Sequence, residues 1–185
     1  MNRAFGSALL LLGCACHAPF RAVDIDGRPV DPLSPMPGRV HVLVFTSHEC
    51  PIANAYAPRL RELAASAMGG DVRWFFVHVD PDLTPAAARQ HATDYGLPDT
   101  IVLDPTHRLA RELGVTRTPE AAVVTAQLVV YRGRIDDGWV ALGQRAGTVE
   151  HHDLRDAIAA AIAGQLAARP FVPAVGCLLP EPARH

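Results

Sequence analysis

A cysteine followed by proline, placed where an apolar β-branched run gives way to a helical pattern, constrains this chain more than any other stretch. Val40-His41-Val42-Leu43-Val44-Phe45 reads as a short buried strand. Four polar residues, Thr46-Ser47-His48-Glu49, lead out of it, and Cys50-Pro51 then opens a helix, because proline is tolerated at the first helical position, where no backbone N–H is needed. Ile52, Tyr56, Leu60, Leu63 and Ala67 recur at three- and four-residue spacing and give that helix one apolar face. A cysteine at such a turn directs its sulfur at the free N–H groups and positive end of the helix dipole, which favours thiolate over thiol. The thiolate is the reactive form of cysteine, so the junction is suited to chemistry.

Three further features belong with it. Pro58 interrupts the helical pattern where a proline costs about 3 kcal/mol by intrinsic propensity. It lies in Ala57-Pro58-Arg59-Leu60, and downstream Gly114-Val115-Thr116-Arg117-Thr118-Pro119 enters the apolar run Ala121-Ala122-Val123-Val124. Together with Cys50 at its strand-to-helix turn, these residues resemble the thioredoxin superfamily, over roughly residues 40–164. The resemblance implies an α/β fold with a mixed central sheet and helices on both faces. It also implies a kinked active-site helix at Pro58 and a cis Thr118–Pro119 bond against Cys50.

The rest of the chain fits that plan. Asp26-Gly27 marks a hairpin turn between residues 22–25 and 28–30, the N-terminal hairpin of redoxin-type members of the superfamily. Residues 72–79 read as a second buried strand. Residues 85–95 read as a helix with Thr84 as its N-cap and Pro85 in its first turn. A short strand at 101–103 and a short helix from Pro105 to Leu113, stopped by Gly114, follow. This part is longer than in a minimal thioredoxin and resembles the insertion of the peroxiredoxin and periplasmic thiol-reductase branches. A hairpin over residues 121–132, a polar turn at 133–138 and a closing helix over 151–163 complete a chain whose strands alternate with helices.

Before this region, Met1-Asn2-Arg3 and the apolar residues 4–12 precede Leu11-Leu12-Gly13-Cys14, which resembles a bacterial lipoprotein lipobox. The run is too short to span a bilayer, so a removed leader is expected, with Cys14 as the lipidated residue. An ordinary secretory signal, or no signal at all, are the alternatives. Cys16 falls in the tether. Export would place the protein in an oxidising compartment, the periplasm, held to the membrane only through the lipid. The expected organisation is a leader and tether at 1–18, a domain at 19–168, and a proline-rich extension at 169–185 that carries Cys177.

Composition narrows the function classes. With 17 basic residues, all arginine, against 19 acidic ones, a formal net charge of −2 offers no electrostatic case for nucleic acid. Four cysteines are too few for a disulfide scaffold and lack paired zinc spacing. No cofactor is expected.

A Cys-x-x-Cys cycle requires a second cysteine at position 53, which is Ala53. The remaining candidate is Cys177, within Val175-Gly176-Cys177, an arrangement that resembles redoxins with a late Gly-Cys. Three readings stay open: Cys177 resolves a disulfide formed at Cys50, forms a fixed structural disulfide, or lies apart. The peroxiredoxin pattern P-x-x-x-T-x-x-C is matched in part. Ser47 stands at the threonine position and Leu43 at the proline position, and Arg117 would have to replace an arginine expected near Thr118-Pro119. Catalytic candidates are therefore Cys50, Cys177, Pro119, Ser47 and His48, acting on a disulfide-bearing protein or a small peroxide, with a thiol reductant as partner. His48 either lowers the thiol pKa, joins Cys50, His78 and Cys177 as a soft-metal site, or is a loop histidine without a role. Glu120 is a charge near the proline or a satisfied strand-start carboxylate, and Arg132 and Arg134 read as a solvated turn. A copper carrier and a redox-inactive binding module are the rival functions.

Overall fold

The computed structural model describes residues 21–66, 71–98, 100–126 and 128–183. The first elements are a small hairpin, β1 (Ala22–Val23) and β2 (Pro29–Val30). The alternation that follows is β3 (Val40–Thr46), α1 (Pro51–Ser66), β4 (Val72–His78), α2 (Pro85–Tyr95), β5 (Thr100–Leu103) and α3 (Arg108–Leu113). Then come β6 (Arg117–Thr118), β7 (Glu120–Val124), β8 (Val129–Gly133), β9 (Trp139–Ala141), β10 (Gln144–Arg145), α4 (Asp153–Ile162), β11 (Phe171–Val172) and β12 (Cys177–Leu178).

Six strands form one mixed sheet in the order β11-β8-β7-β3-β4-β5. Strand β3 lies at its heart, parallel to β4 and antiparallel to β7, and all seven of its residues are buried. Its period-two alternation explains the continuous apolar run, because both faces of the sheet are covered. Val42 and Val44 point into a core shared with Tyr56 and Leu60 of α1, Ala88 of α2 and Leu154 and Ile158 of α4. Leu43 and Phe45 point the other way, into a core closed by Leu109, Ala110 and Leu113 of α3 and by Val30 of the N-terminal hairpin. Helices therefore lie on both faces, and the parallel strands β3 and β4 end at the same edge, where the loops after Thr46 and His78 meet.

Local chemistry sets the helix ends. The Thr84 hydroxyl accepts from Ala87 N–H at 3.2 Å, with Pro85 in the first turn, and Gly96 closes α2 in the left-handed region at φ 60°. Helix α3 starts at Arg108 rather than at Pro105, because the Asp104 carboxylate accepts the N–H groups of Arg108 (2.7 Å) and Ala110 (2.9 Å). Two features go beyond the sequence reading. Residues 139–145 form a hairpin, β9–β10, past the polar turn. Within the C-terminal extension, β11 adds to the central sheet parallel to β8, and β12 pairs with β6.

Candidate active site

Cys50 caps the junction of β3 and α1 and is 2% exposed. Its N–H donates to Ser47 O (3.2 Å), and its carbonyl accepts from Asn54 N–H (3.0 Å), the first hydrogen bond of the helix. Facing it, the Thr118–Pro119 peptide bond is cis. Strand β12 lies antiparallel on β6 with Cys177 directly opposite Thr118 and Leu178 opposite Arg117. The result is a compact group. Cys50 Sγ is 2.6 Å from Cys177 Sγ and 3.1 Å from Thr118 O, and both cysteines are free thiols.

The two sulfurs differ in acidity. Burial pushes the Cys50 thiol up, but hydrogen bonds from the Cys177 thiol, Ala53 N–H and the Thr118 hydroxyl outweigh it, so the net shift is downward. Among the described residues the buried Thr118 hydroxyl has no other hydrogen-bond partner, which leaves it free to donate to the Cys50 sulfur. Cys177 is pushed up to about 11, by burial first and then by the hydrogen bond to Cys50 and its negative charge. Of the two, Cys50 is therefore the more acidic thiol and Cys177 the one that holds its proton more tightly.

Beneath the loop lies a layer of polar side chains. Asp80, just past β4, accepts from the Ser47 hydroxyl (2.5 Å) and from His48 N–H (3.1 Å). His48 Nδ1 is 3.3 Å and His78 Nδ1 3.5 Å from the same carboxylate. Burial pushes the Asp80 carboxyl up, but His78, Ser47 and His48 together bring it well below the usual carboxylate range. From the helix side, Asn54 Nδ2 donates to His48 O (2.9 Å), and its Oδ1 lies 2.8 Å from His91 Nε2. Asp80, Asn54 and His91 were not singled out by the sequence reading. The usable signal was topological: Asp80 follows a parallel strand adjacent to β3, so its loop must leave beside Ser47.

The other candidates take distinct positions. The Ser47 hydroxyl is committed to Asp80, so Ser47 meets Cys50 through its carbonyl. Half-exposed His48 is paired with Asp80 and lies 3.9 Å from Glu49. Glu120 is buried, accepts from Thr116 N–H at 3.0 Å and lies 3.7 Å from Arg132 Nε. Arg117 donates to Gly176 O at 3.2 Å. Arg132 and Arg134 depart from the solvated turn expected of them. Arg132 donates to the carbonyls of Leu113 and Gly114 and stacks on Phe171, and Arg134 Nε bonds Asp153 at 2.6 Å. Arg132 thus ties the end of α3 and Phe171 of β11 to β8, and Arg134 ties the start of α4 to the turn that follows β8. Among the described residues no three His, Cys, Asp or Glu side chains converge in an arrangement able to hold a metal ion. Cys14 and Cys16 lie outside the described residues.

Residues 17–137 match the Redoxin family model, about two thirds of the chain. The chain belongs to the redoxin family. No curated protein matches it. An uncharacterized conserved protein from Geobacillus kaustophilus is similar at 24% identity and a TM-score of 0.71, over 88% of each chain. A hypothetical protein from Sinorhizobium meliloti is similar at 22% identity and a TM-score of 0.74, over 91% of this chain and 93% of that one. A secreted Mycobacterium tuberculosis disulfide oxidoreductase homologous to E. coli DsbE is similar at 25% identity and a TM-score of 0.50, over 60% of this chain and 78% of that one. This redoxin thus has a thioredoxin-like fold, and the family and neighbours support a thiol redox function.

Proposed function

We propose that this redoxin is a two-cysteine thiol-disulfide oxidoreductase in which Cys50 attacks and Cys177 resolves. The observation that carries the reading is the 2.6 Å approach of the two sulfurs beside Thr118–Pro119, with the lowered thiol on the helix side. The Cys50 thiolate attacks one sulfur of a substrate disulfide, forms a mixed disulfide and expels the first substrate thiolate, which takes up a proton. Cys177 then gives up its proton, attacks Cys50 Sγ and expels the second substrate sulfur as a thiol. The substrate gains two electrons, and the protein is left with a Cys50–Cys177 disulfide. A dithiol partner reverses the exchange and restores both thiols. Pro119 shapes the face on which the sulfurs meet, and Asp80, through Ser47 and His48, holds the loop.

Disulfide exchange is preferred to peroxide reduction because Arg117, the arginine nearest in sequence to the proline, is engaged with Gly176 O. The similarity to the Mycobacterium tuberculosis neighbour, a secreted disulfide oxidoreductase, supports the same choice. Export, with Cys14 as lipid anchor on the periplasmic side, belongs to this proposal and rests on the leader pattern. The test is mass spectrometry of alkylated protein before and after one equivalent of a model disulfide, and separately of hydrogen peroxide. Oxidation is expected to link Cys50 to Cys177 reversibly and faster with the disulfide, Cys177→Ser to stall as a mixed disulfide on Cys50, and Cys50→Ser to abolish turnover. Faster linkage by peroxide would make the protein a peroxidase. A Cys50 that stays fully alkylatable with both oxidants would sink the enzyme reading in favour of metal carriage or partner binding, which copper titration separates.

A further inference from the structure

The way Cys177 reaches Cys50 says something about what else can reach it. Cys177 arrives as part of an extended strand laid antiparallel on β6, opposite Thr118. The ladder continues with Leu179 N–H donating to Thr116 O at 3.3 Å, and Arg117 clasps Gly176 O from the side. A cysteine-bearing segment of another polypeptide that brought its sulfur to Cys50 beside the same Thr118 carbonyl would need the same strand edge, by the β-addition mode that extended peptides use on sheet edges. One edge accepts one strand. Gly176 is what allows this occupant to sit so low: a Cβ on it would run into the Thr118 carbonyl and crowd Pro119 N.

We propose that residues 175–179 are a built-in occupant of the peptide-docking edge, with Gly176 as the specificity-determining residue. With the segment seated Cys50 is 2% exposed, so a disulfide reaches it only when the segment yields: a local displacement at position 177 admits a compact disulfide, whereas an extended polypeptide disulfide is shut out until the whole edge is cleared. A compact reagent needs only a line of approach to one sulfur. A polypeptide needs the whole ladder from Thr116 to Thr118 and must first peel the segment away. The few net hydrogen bonds that hold the segment favour the seated state by about ten- to a hundredfold, which is the selectivity expected. The inference rests on Cys50 being the reactive thiol.

The test uses the full chain with Cys177→Ser, which keeps the segment and leaves Cys50 as the reporting thiol of the site. Rates of mixed-disulfide formation on Cys50, read by mass spectrometry, are compared for two nitropyridyl disulfides with the same leaving group, one on N-acetylcysteine amide and one on an extended peptide. The peptide-to-compact rate ratio is expected to rise about tenfold or more when Gly176→Ala is added, and by less with Arg117→Ala. Hydrogen exchange at Leu179 N–H should accelerate in step, with the buried amides of β3 as an internal control for folding. An unchanged ratio would overturn the inference while leaving Cys50 chemistry intact, and so would a Leu179 amide as protected in Gly176→Ala as in its parent. Cys50 inert toward both reagents in every variant would instead overturn the proposed function, and this inference with it.

Discussion

The two cysteines meet at one point but are held by opposite means. Cys50 follows β3, a strand paired on both sides and buried over its whole length, and it precedes a helix with seven buried residues. Cys177 stands in a two-residue strand whose next residue, Leu178, is 69% exposed, and its ladder to β6 is two residue pairs long. Moving Cys50 means disturbing both faces of the sheet; moving Cys177 means breaking a handful of surface hydrogen bonds. The proposed disulfide exchange needs this inequality. An attacking sulfur must be held in a fixed setting of hydrogen-bond donors, while a resolving sulfur must come and go within the same cycle.

The hardest way to break the comparison is to attack the Cys50 side through its core. Phe45 is fully buried on the β3 face that packs on α3, so Phe45→Ala is expected to cost about 3–5 kcal/mol. Urea unfolding would show the midpoint falling with an unchanged slope, and Cys50 protection falling with global stability. If the loss were confined to a local loosening near Cys50, the sheet would not be what fixes the nucleophile.

That inequality also explains which parts were legible in the sequence. Buried strands announce themselves by composition, so Val40 to Phe45 and residues 72–79 were readable, as was α2 from Thr84-Pro85. The Thr118-Pro119 motif placed β6 opposite Cys50 through resemblance rather than through any local pattern. Residues 169–185 offered neither periodicity nor an apolar run. Strands β11 and β12 exist because β8 and β6 offer free edges, and a two-residue strand carries no signal of its own. The chain therefore disclosed a candidate nucleophile and a second cysteine, but the ladder that joins them is a tertiary fact. The same holds for Asp80 and His91, single polar residues whose importance lies in which loops the parallel sheet brings side by side.

A second, smaller handle acts on the Cys50 side alone, through pH. His91 is 8% exposed, packed against the rings of His78 and Tyr95, and its pKa is lowered to about 4, by burial first and then by electrostatic repulsion from the neighbouring His78 and His48. Asp80 and Asp94 oppose the shift without reversing it. The folded protein thus keeps His91 neutral over a range in which the unfolded chain, with an ordinary histidine pKa near 6.5, binds a proton. Its contribution is fully present above that value and is lost as pH falls toward 4, with a slope of about 1.4 kcal/mol per pH unit for one proton. The depressed Asp80 adds its own loss at still lower pH. Unfolding free energies of the wild type and His91→Gln should converge between pH 6.5 and 4; parallel curves would remove His91 from the account. Cys177, outside this polar layer, should show no matching change in the protection of its segment relative to global stability.

The smallest expected effect is the sharpest test of the asymmetry. Arg117→Ala removes the guanidinium that holds Gly176 O at 3.2 Å and leaves the central sheet untouched. One half-buried hydrogen bond is worth about 0.5–1.5 kcal/mol net. If the Cys177 segment opens independently of the core, that amount should appear only in local exchange at Leu179, as faster exchange by about two- to tenfold, with the urea midpoint unmoved. If the midpoint moves by the full amount, the segment unfolds together with the sheet, and the two cysteines stand on equally rigid ground. A fixed structural disulfide would then describe Cys177 better than a resolving thiol, because a sulfur that leaves its seat only with global unfolding cannot open and close once per turnover.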